Sequence, residues 1–307
     1  MSKPNKKLEL NNGLTCPVIG LGTGYYENTN NIIYNSIKNG IRLIDTASFY
    51  KNEEEVGKGI KQAIDEGIIK REDLFVITKC WLDEKDDPEK ALKSSLKRLN
   101  LTYVDLYLDH WPSGKSYNTE FKCKLVSIGE FWPKMESLVE KGLTKSLGVS
   151  NYNVQNLLNV LSICKIKPVA DEIEFHPYLY QKELKEFCDK EGIKIIAFNP
   201  VVKGMYCKEY EKIINEKKLN LFEEEIVKNL AKKYGKTPGQ IILNWHIHTG
   251  DIPIPSTSNP KRTIENLGAV DFNMEESDYE KINSFRQNGK QFRFGRANML
   301  FGIDIFA

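Results

Sequence analysis

The sequence contains no apolar run of membrane-spanning length, no Cys-x-x-Cys pair and no strong excess of charge of either sign. The net charge is only +2 over 307 residues, so we expect neither a nucleic acid nor a membrane as partner. The first ten residues are polar and rich in lysine, which does not fit a signal peptide. Because the cysteines have no metal-type spacing, we expect reduced thiols in a cytoplasmic protein; they stand at positions 16, 80, 123, 164, 188 and 207.

A Gly-x-Gly-x-x-Gly turn, which opens many dinucleotide-binding sheets, is also missing. Gly20-Leu-Gly22-Thr-Gly24 follows the first predicted strand with a different spacing, which argues against a doubly wound open sheet. Linkers and low-complexity segments are absent as well. Residues 1–307 are therefore predicted to form a single domain.

The chain does contain a regular alternation of short apolar runs and helical patterns. Such alternation predicts parallel strands with helices on the outside, and eight units in one chain of this length are typical of the (β/α)8 TIM barrel, which has about 250 residues. Asn12-Gly13 predicts a β-hairpin over about 7–17 that covers the bottom of the barrel, and about 287–307 form a C-terminal tail. The eight apolar runs lie at 18–21, 41–44, 74–77, 104–108, 143–149, 168–175, 193–198 and 251–254.

Three consecutive runs lead to polar side chains. Asp45, Lys79 and His110 follow them, and Tyr50 lies just beyond the first. In a barrel these positions share the carboxyl-terminal rim, where active groups lie. Each residue also has an ordinary interpretation, such as a turn-capping aspartate, a surface lysine or a core histidine. Four such coincidences on one rim are improbable, so we predict a catalytic site.

The chemistry of this set suits a carbonyl group. A tyrosine donates a proton at neutral pH, and a nearby ammonium favours the phenolate and lowers the pKa of the phenol. Asp45 would hold Lys79 charged, and a neutral His110 could donate a hydrogen bond to a carbonyl oxygen. No nucleophilic serine or cysteine and no metal cluster is evident. Hydride from a nicotinamide is therefore the expected attacking group.

At this point the chain resembles the aldo-keto reductases, close to the branch of the aldose reductases and yeast xylose reductases. The resemblance runs nearly from end to end. It rests on Gly20-Leu-Gly-Thr23, Asp45-Thr-Ala-Ser-Phe-Tyr50-Lys-Asn-Glu, Leu106-Tyr-Leu-Asp-His110-Trp-Pro, Gly148-Val-Ser-Asn151-Tyr, Ile173-Glu-Phe-His-Pro-Tyr178 and Ile254-Pro-Ser-Thr-Ser-Asn-Pro-Lys-Arg262.

The resemblance implies reduction of an aldehyde, aldose or ketone with NADP(H), with possible secondary use of NAD(H). It implies Tyr50 as proton donor, completed by Asp45, Lys79 and His110. The implied cofactor-binding residues are Gly22, Thr23, Ser150, Asn151, Glu172, Phe198, Asn199, Pro200, Val201, Ser256, Thr257, Ser258, Asn259, Arg262, Glu265 and Asn266. The implied substrate pocket consists of Gly24, Phe49, Trp81, Trp111, Asn298 and Leu300.

Four positions depart from the family pattern. Glu172 replaces a glutamine on the nicotinamide, Gly24 replaces a tryptophan beside the substrate, and Ser256 replaces a lysine of NADPH-specific members. Asp109 stands at a position that is usually apolar. By strand alternation we expect Asp109 to point toward the helices, hydrogen-bonded and not catalytic.

Two other functions stay open from the sequence. A lysine at a barrel strand end also serves Schiff-base lyases, so Lys79 could be a nucleophile. The chain could also be a redox-inactive binding protein on the same scaffold. The complete tetrad favours a reductase. His176, His246 and His248 are predicted to be structural or surface residues. The sequence does not distinguish a monomer from a homodimer, and it does not name the small-molecule substrate.

Overall fold

A computed structural model describes residues 6–24, 28–112, 126–202, 219–287 and 292–294. The strands are β1 Lys7–Glu9, β2 Thr15–Pro17, β3 Leu21–Gly22, β4 Leu43–Asp45, β5 Phe75–Cys80, β6 Leu106–Asp109, β7 Leu147–Ser150, β8 Ala170–Glu174, β9 Lys194–Phe198 and β10 Ile252–Pro253. The helices of the same ranges are α1 Thr29–Lys38, α2 Glu53–Asp65, α3 Pro88–Leu99, α4 Ile128–Glu140, α5 Val154–Leu161, α6 Lys182–Glu191, α7 Glu225–Tyr234, α8 Pro238–His248, α9 Pro260–Leu267 and α10 Glu276–Asn283.

Strands β3 to β10 form one parallel sheet in which neighbours in the chain are neighbours in space. The two ends of the sheet meet, because the Gly20 N–H donates a hydrogen bond of 3.0 Å to the carbonyl oxygen of Pro253. Helices lie between the strands. The predicted (β/α)8 barrel is confirmed.

Side chains of the strands alternate between two apolar clusters. One set packs with the helices and includes Ile44, Val76, Tyr107 and Val149. The other set fills the barrel interior and includes Leu43, Phe75, Ile77, Leu106, Leu108, Ala170, Ile196, Ile252 and Ile254. Because alternation has a period of two, Asp45, Lys79, His110 and Glu172 continue the interior rows toward the carboxyl ends of the strands.

The N-terminal hairpin covers the opposite end of the barrel. Strands β1 and β2 pair around the turn at Gly13, which has a φ of 81°. Leu10 and Cys16 are buried against the interior cluster, next to side chains from the beginnings of the strands. Asn11 donates a hydrogen bond of 2.9 Å to the Pro168 carbonyl. The expected position of the hairpin is therefore confirmed.

Several strands are shorter than their apolar runs. The first, expected over 18–21, is Leu21–Gly22, since the Gly20 N–H bonds to the Pro253 carbonyl at the seam where the two ends of the sheet meet. The last, expected over 251–254, is Ile252–Pro253, and Pro253 has no N–H to extend the ladder. Among the described helices, none combines the length and the hydropathy that a membrane span needs. The four cysteines in the described ranges, Cys16, Cys80, Cys164 and Cys188, are free thiols.

Candidate active site

Four polar side chains meet at the carboxyl-terminal end of the barrel interior. Asp45 ends β4, Lys79 lies near the end of β5, and His110 follows β6. Tyr50 lies on the short 3-10 turn Ser48–Tyr50, directly after β4. The structure thus brings the predicted tetrad together from three neighbouring strands and one turn.

The Lys79 ammonium is the centre of this group. Its Nζ donates hydrogen bonds to Asp45 Oδ2 at 2.5 Å and to the Thr46 carbonyl at 3.0 Å. The Tyr50 hydroxyl lies 3.5 Å from the same nitrogen. Lys79 is fully buried, whereas Tyr50 is only half-buried. A reactant entering from the open end can therefore reach the tyrosine without displacing the lysine.

The environment fixes the charge of two members. Burial alone would lower the pKa of Lys79, but the Asp45 carboxylate raises it above its ordinary value, so the ammonium stays charged. Burial, followed by the positive charge of Lys79, holds the pKa of His110 well below its usual range. The imidazole is therefore neutral at physiological pH. Its ring lies edge-on to Tyr50, with 5.8 Å between ring centroids.

Glu172 contacts the Lys79 ammonium, which the sequence did not predict. It lies on β8 and its Oε1 is 3.2 Å from Lys79 Nζ. The residue is buried. Alternation along β8 was the available signal, since it places residue 172 in the interior. The sequence did not show which side chain it would meet there.

The residues expected around the nicotinamide lie at the ends of the next strands. Asn151 has a φ of 62°, and its Nδ2 donates to the His110 carbonyl at 3.1 Å. Ser150 Oγ donates to the Glu172 carbonyl at 2.8 Å. Phe198 ends β9 and packs against the interior cluster. These side chains surround the same end of the barrel as the tetrad.

The residues expected around the adenosine lie at β10 and the N-terminus of α9. Ser256 Oγ donates to the Gly22 carbonyl at 3.2 Å, and the Asn259 side chain caps α9 by accepting from the Lys261 amide at 2.9 Å. Ser258 and Arg262 are exposed on this turn. Thr257 is buried, and the Glu265 carboxylate accepts a hydrogen bond from the Thr237 hydroxyl. The other expected residues lie at or near the ends of β3 and β9 or on α9, and they are Gly22, Thr23, Asn199, Pro200, Val201 and Asn266.

This turn fits an anionic group. The N-terminus of a helix carries a positive partial charge, and here an exposed arginine lies in its first turn and exposed serines lie just before it. Gly22 permits a close approach of β3 to β10, since a Cβ there would lie 3.0 Å from the Ile254 carbonyl oxygen. The donor set is thus suited to a phosphate at the seam of the barrel.

Aromatic side chains form one wall of the expected substrate pocket. Phe49 stacks on Trp81 with 3.9 Å between ring centroids, and Trp81 contacts the His110 ring edge-on at 4.8 Å. Gly24 faces the Tyr50 ring, because a Cβ built there would lie 3.7 Å from Cζ. Trp111 is buried next to His110. Asn298 and Leu300, also predicted for this pocket, lie outside the described residues.

Asp109 points toward the helices, as predicted. It pairs with Lys85 at 2.7 Å and accepts a hydrogen bond of 2.7 Å from the Tyr152 hydroxyl. Lys85 also donates to the Trp111 carbonyl at 2.5 Å. This buried network therefore holds the backbone on both sides of His110 from outside the barrel. The partner Lys85 was not foreseen from the sequence.

Two of the remaining histidines have structural roles, as predicted. His176 and the Phe294 amide both bond to Glu174 at 3.0 Å, which joins residues 292–294 to the end of β8. The buried His246 ring bonds to the Pro200 carbonyl at 3.2 Å. His248 stacks on Tyr279.

Comparison with known proteins gives consistent results. A family model described as "Aldo/keto reductase family" matches residues 19–287. An aldose reductase of Dictyostelium discoideum is 40% identical over 299 residues, covering 91% of this chain and 89% of the relative. An NAD(P)H-dependent D-xylose reductase of Pyricularia oryzae is 38% identical over 324 residues, covering 99% and 98%. A crystal structure of a Bombyx mori aldo-keto reductase with NADP superposes with a TM-score of 0.83, at 33% identity over 96% of both chains.

Proposed function

The chain belongs to the aldo/keto reductase family and is an NAD(P)H-dependent oxidoreductase, and we propose that it reduces an aldehyde, aldose or ketone to the alcohol with Tyr50 as the proton donor. One observation carries the proposal. The half-buried Tyr50 hydroxyl lies 3.5 Å from a fully buried ammonium that Asp45 holds in place. That arrangement stabilises a phenolate without offering a free nucleophile.

Each member of the tetrad has a distinct task in this reaction. Tyr50 donates its phenolic proton to the carbonyl oxygen, and the Lys79 ammonium stabilises the phenolate that results. Asp45 fixes the lysine, and the neutral His110 donates a hydrogen bond that orients and polarises the carbonyl. When bound, the reduced nicotinamide supplies the hydride.

The residues expected to bind the cofactor form two groups, one for the nicotinamide and one for the adenosine. Ser150, Asn151 and Glu172 would meet the nicotinamide carboxamide, and Phe198 would stack on its ring. Ser256 to Asn259, Arg262 and Asn266 would hold the adenosine and its 2′-phosphate. The α9 N-terminus and the exposed guanidinium support this, since a phosphate is best bound by charge-assisted hydrogen bonds.

The lyase alternative fits the geometry poorly. A Schiff-base lysine must become neutral to attack, but Lys79 is fully buried and the Asp45 carboxylate 2.5 Å away raises its pKa. A panel of aldehydes, aldoses and ketones with NADPH absorbance tests the proposal directly. Turnover would exclude a redox-inactive binding protein. Borohydride trapping of substrate on Lys79, seen by mass spectrometry, would instead establish the lyase.

We further infer a cytoplasmic location, a small-molecule carbonyl substrate, and a monomeric or homodimeric state. The free thiols among the described residues support the location, because reducing compartments keep cysteines unpaired.

Ser256→Lys is expected to tighten NADPH binding at least about tenfold and to leave NADH almost unchanged. Wild type should prefer NADPH only moderately and use NADH measurably, since the family's phosphate-binding lysine is absent. An ammonium–phosphate hydrogen bond contributes about 1.5–3 kcal/mol, or roughly 10- to 150-fold in affinity. Dissociation constants of both reduced cofactors, measured by nicotinamide fluorescence, provide the readout.

Ser256→Ala is the matched control for this prediction. It removes the hydrogen bond to the Gly22 carbonyl without adding a charge, so it separates the effect on the seam from the effect on the phosphate. The hypothesis is wrong if the lysine variant changes neither constant. It is equally wrong if wild type already rejects NADH by more than about a thousandfold.

Gly24→Trp is expected to discriminate against bulky or branched carbonyl substrates. The glycine leaves space over the Tyr50 ring, and its φ does not require glycine, so an indole can be introduced there. For each methylene-sized group that is excluded, we expect the transition-state stabilisation derived from kcat/KM to fall by about 1–3 kcal/mol relative to that of a small aldehyde. Gly24→Ala is the control, because its Cβ makes only ordinary contact with Tyr50. Unchanged relative specificity would mean that another side chain already fills the space.

A further inference from the structure

Lys79 lies between two buried carboxyl groups. Its Nζ is 2.5 Å from Asp45 Oδ2 and 3.2 Å from Glu172 Oε1. The exposed fractions of these three side chains are 0%, 2% and 3% in the order Lys79, Asp45, Glu172. One carboxylate neutralises the ammonium, and Asp45 is the closer of the two. If Glu172 were also ionised, the buried group would have a net negative charge.

The two carboxyl groups around Lys79 favour different protonation states. Asp45 and Glu172 both contact the same buried ammonium, and two ionised carboxylates this close would repel each other. Glu172 Oε2 is buried and receives no hydrogen bond from the part of the chain that the structure describes. Burial and the charge of Asp45 raise the pKa of Glu172 well above its ordinary value, against the opposing effect of Lys79. Glu172 is therefore the group that carries the proton.

Among the groups around this site, Glu172 is the one expected to change charge when the cofactor binds. At its register β7 offers Ser150 and β9 offers Ile196, and neither side chain titrates. Among the residues that the structure describes, the other ionisable groups at this end of the interior are Asp45, Lys79, Tyr50 and His110. The paired Lys79 stays charged and the buried His110 stays neutral. Burial raises the pKa of Asp45 as well, but the shorter bond to Lys79 opposes this effect, so Asp45 is the carboxyl group that stays ionised.

We propose that Glu172 senses the charge of the cofactor: it is neutral in the free protein and with reduced cofactor, and it releases its proton when the cationic, oxidised nicotinamide binds beside it. This inference depends on the proposed function, which places the nicotinamide at the ends of β7 and β8. Both Ser150 Oγ, at 2.8 Å, and the Asn151 amide, at 2.9 Å, donate to the Glu172 carbonyl, which places Glu172 next to those expected carboxamide ligands.

The proposed step is a simple ionisation. The O–H bond of the Glu172 carboxyl group breaks, its proton passes to the buffer, and the carboxylate that remains neutralises the positive ring. Between the pKa of Glu172 in the free protein and its lower pKa beside the cation, binding of NADP⁺ should therefore strengthen with rising pH, by up to about tenfold per pH unit. Binding of NADPH should lack this dependence, because its nicotinamide is uncharged.

Calorimetry can count the proton. NADP⁺ and NADPH are each titrated into the intact protein at constant pH in two buffers with different ionisation enthalpies. The adenosine 2′-phosphate also exchanges protons on binding, but it does so for both forms, so the difference between NADP⁺ and NADPH isolates the nicotinamide end. We expect NADP⁺ to release up to about one proton more than NADPH in wild type.

Two variants sharpen the experiment. Glu172→Gln keeps the shape of the side chain but has no proton to lose, so the difference between the two nucleotides should vanish. Glu136→Gln is the matched control: this glutamate is also buried, but it accepts from the Lys165 and Ile166 amides on the outside of the barrel, so the difference should persist.

Equal proton counts for the two nucleotides in wild type would overturn the inference and leave the proposed function intact. A difference that survives in Glu172→Gln would overturn it as well. If neither nucleotide binds, the proposed function is wrong and the inference falls with it.

Discussion

Tyr50→Phe is expected to slow hydride transfer by about 10²–10⁴-fold, which is the usual contribution of a general acid to the rate. The affinity for the cofactor should change little. The phenylalanine ring can still face Gly24 and His110, so the pocket keeps its shape. Only the hydroxyl 3.5 Å from Lys79 is lost. Without it, no group in this position can donate a proton to the carbonyl oxygen.

Single-turnover kinetics is the appropriate measurement, because slow release of product can hide a change in the chemical step. NADPH dissociation constants should be measured on the same preparations. Tyr34→Phe is a matched control, since its hydroxyl bonds to Glu66 on the surface between α1 and α2. A hydride-transfer rate within threefold of wild type would show that Tyr50 is not the proton donor.

Asp109→Leu is expected to lower the free energy of unfolding by about 3–5 kcal/mol, because it leaves the buried Lys85 ammonium without its carboxylate. Tyr152 also loses the acceptor of its hydroxyl. Lys85→Met combined with Asp109→Leu should recover much of the loss, since an apolar pair leaves no unpaired charge. Denaturant unfolding of the single and double variants provides the measurement.

Asp65→Ala offers the contrast for this series. It breaks an ion pair of similar length, 2.6 Å to Lys61, but both side chains are exposed, so stability should scarcely change. A double variant as unstable as Asp109→Leu would contradict the proposed cause. The destabilisation would then come from altered packing behind His110 and not from a stranded charge.

The strands could be predicted wherever the apolar run itself sets the boundary. β4 ends at Asp45 and β9 ends at Phe198, as the sequence indicates, because a polar residue or a proline soon follows. Boundaries set by tertiary contacts were missed. The run at 143–149 becomes β7 Leu147–Ser150, and its beginning contributes only an isolated bridge between Val104 and Thr144.

The candidate site divides in the same way. Asp45, Lys79 and His110 can each be recognised from the local sequence, as a polar residue at the end of an apolar strand. The pairs Glu172–Lys79 and Asp109–Lys85 could not be predicted, since neither pair lies on adjacent strands, unlike Asp45 and Lys79. The side to which Asp109 points was predictable, because alternation fixes direction. The identity of its partner depends on which helix-side loop packs there, and no local pattern contains that information.

The seam between β3 and β10 has a consequence for how long the folded state persists. The Ser256–Gly22 hydrogen bond joins residues 234 apart in the chain, whereas the Ser150–Glu172 bond joins residues 22 apart. Forming the longer contact first would cost about 2 kcal/mol more in loop entropy. Once the other strand pairs exist, the two ends are already close. We infer that this ring closes last during folding.

Contacts that form after the rate-limiting step govern unfolding more than folding. Opening at β3 and β10 is then an early event of unfolding. Gly22 and Ser256, which form this seam, are also among the residues proposed to hold the cofactor. Bound cofactor would therefore hold β3 and β10 together at the point where the barrel opens. The native barrel would then persist longer when more cofactor is available.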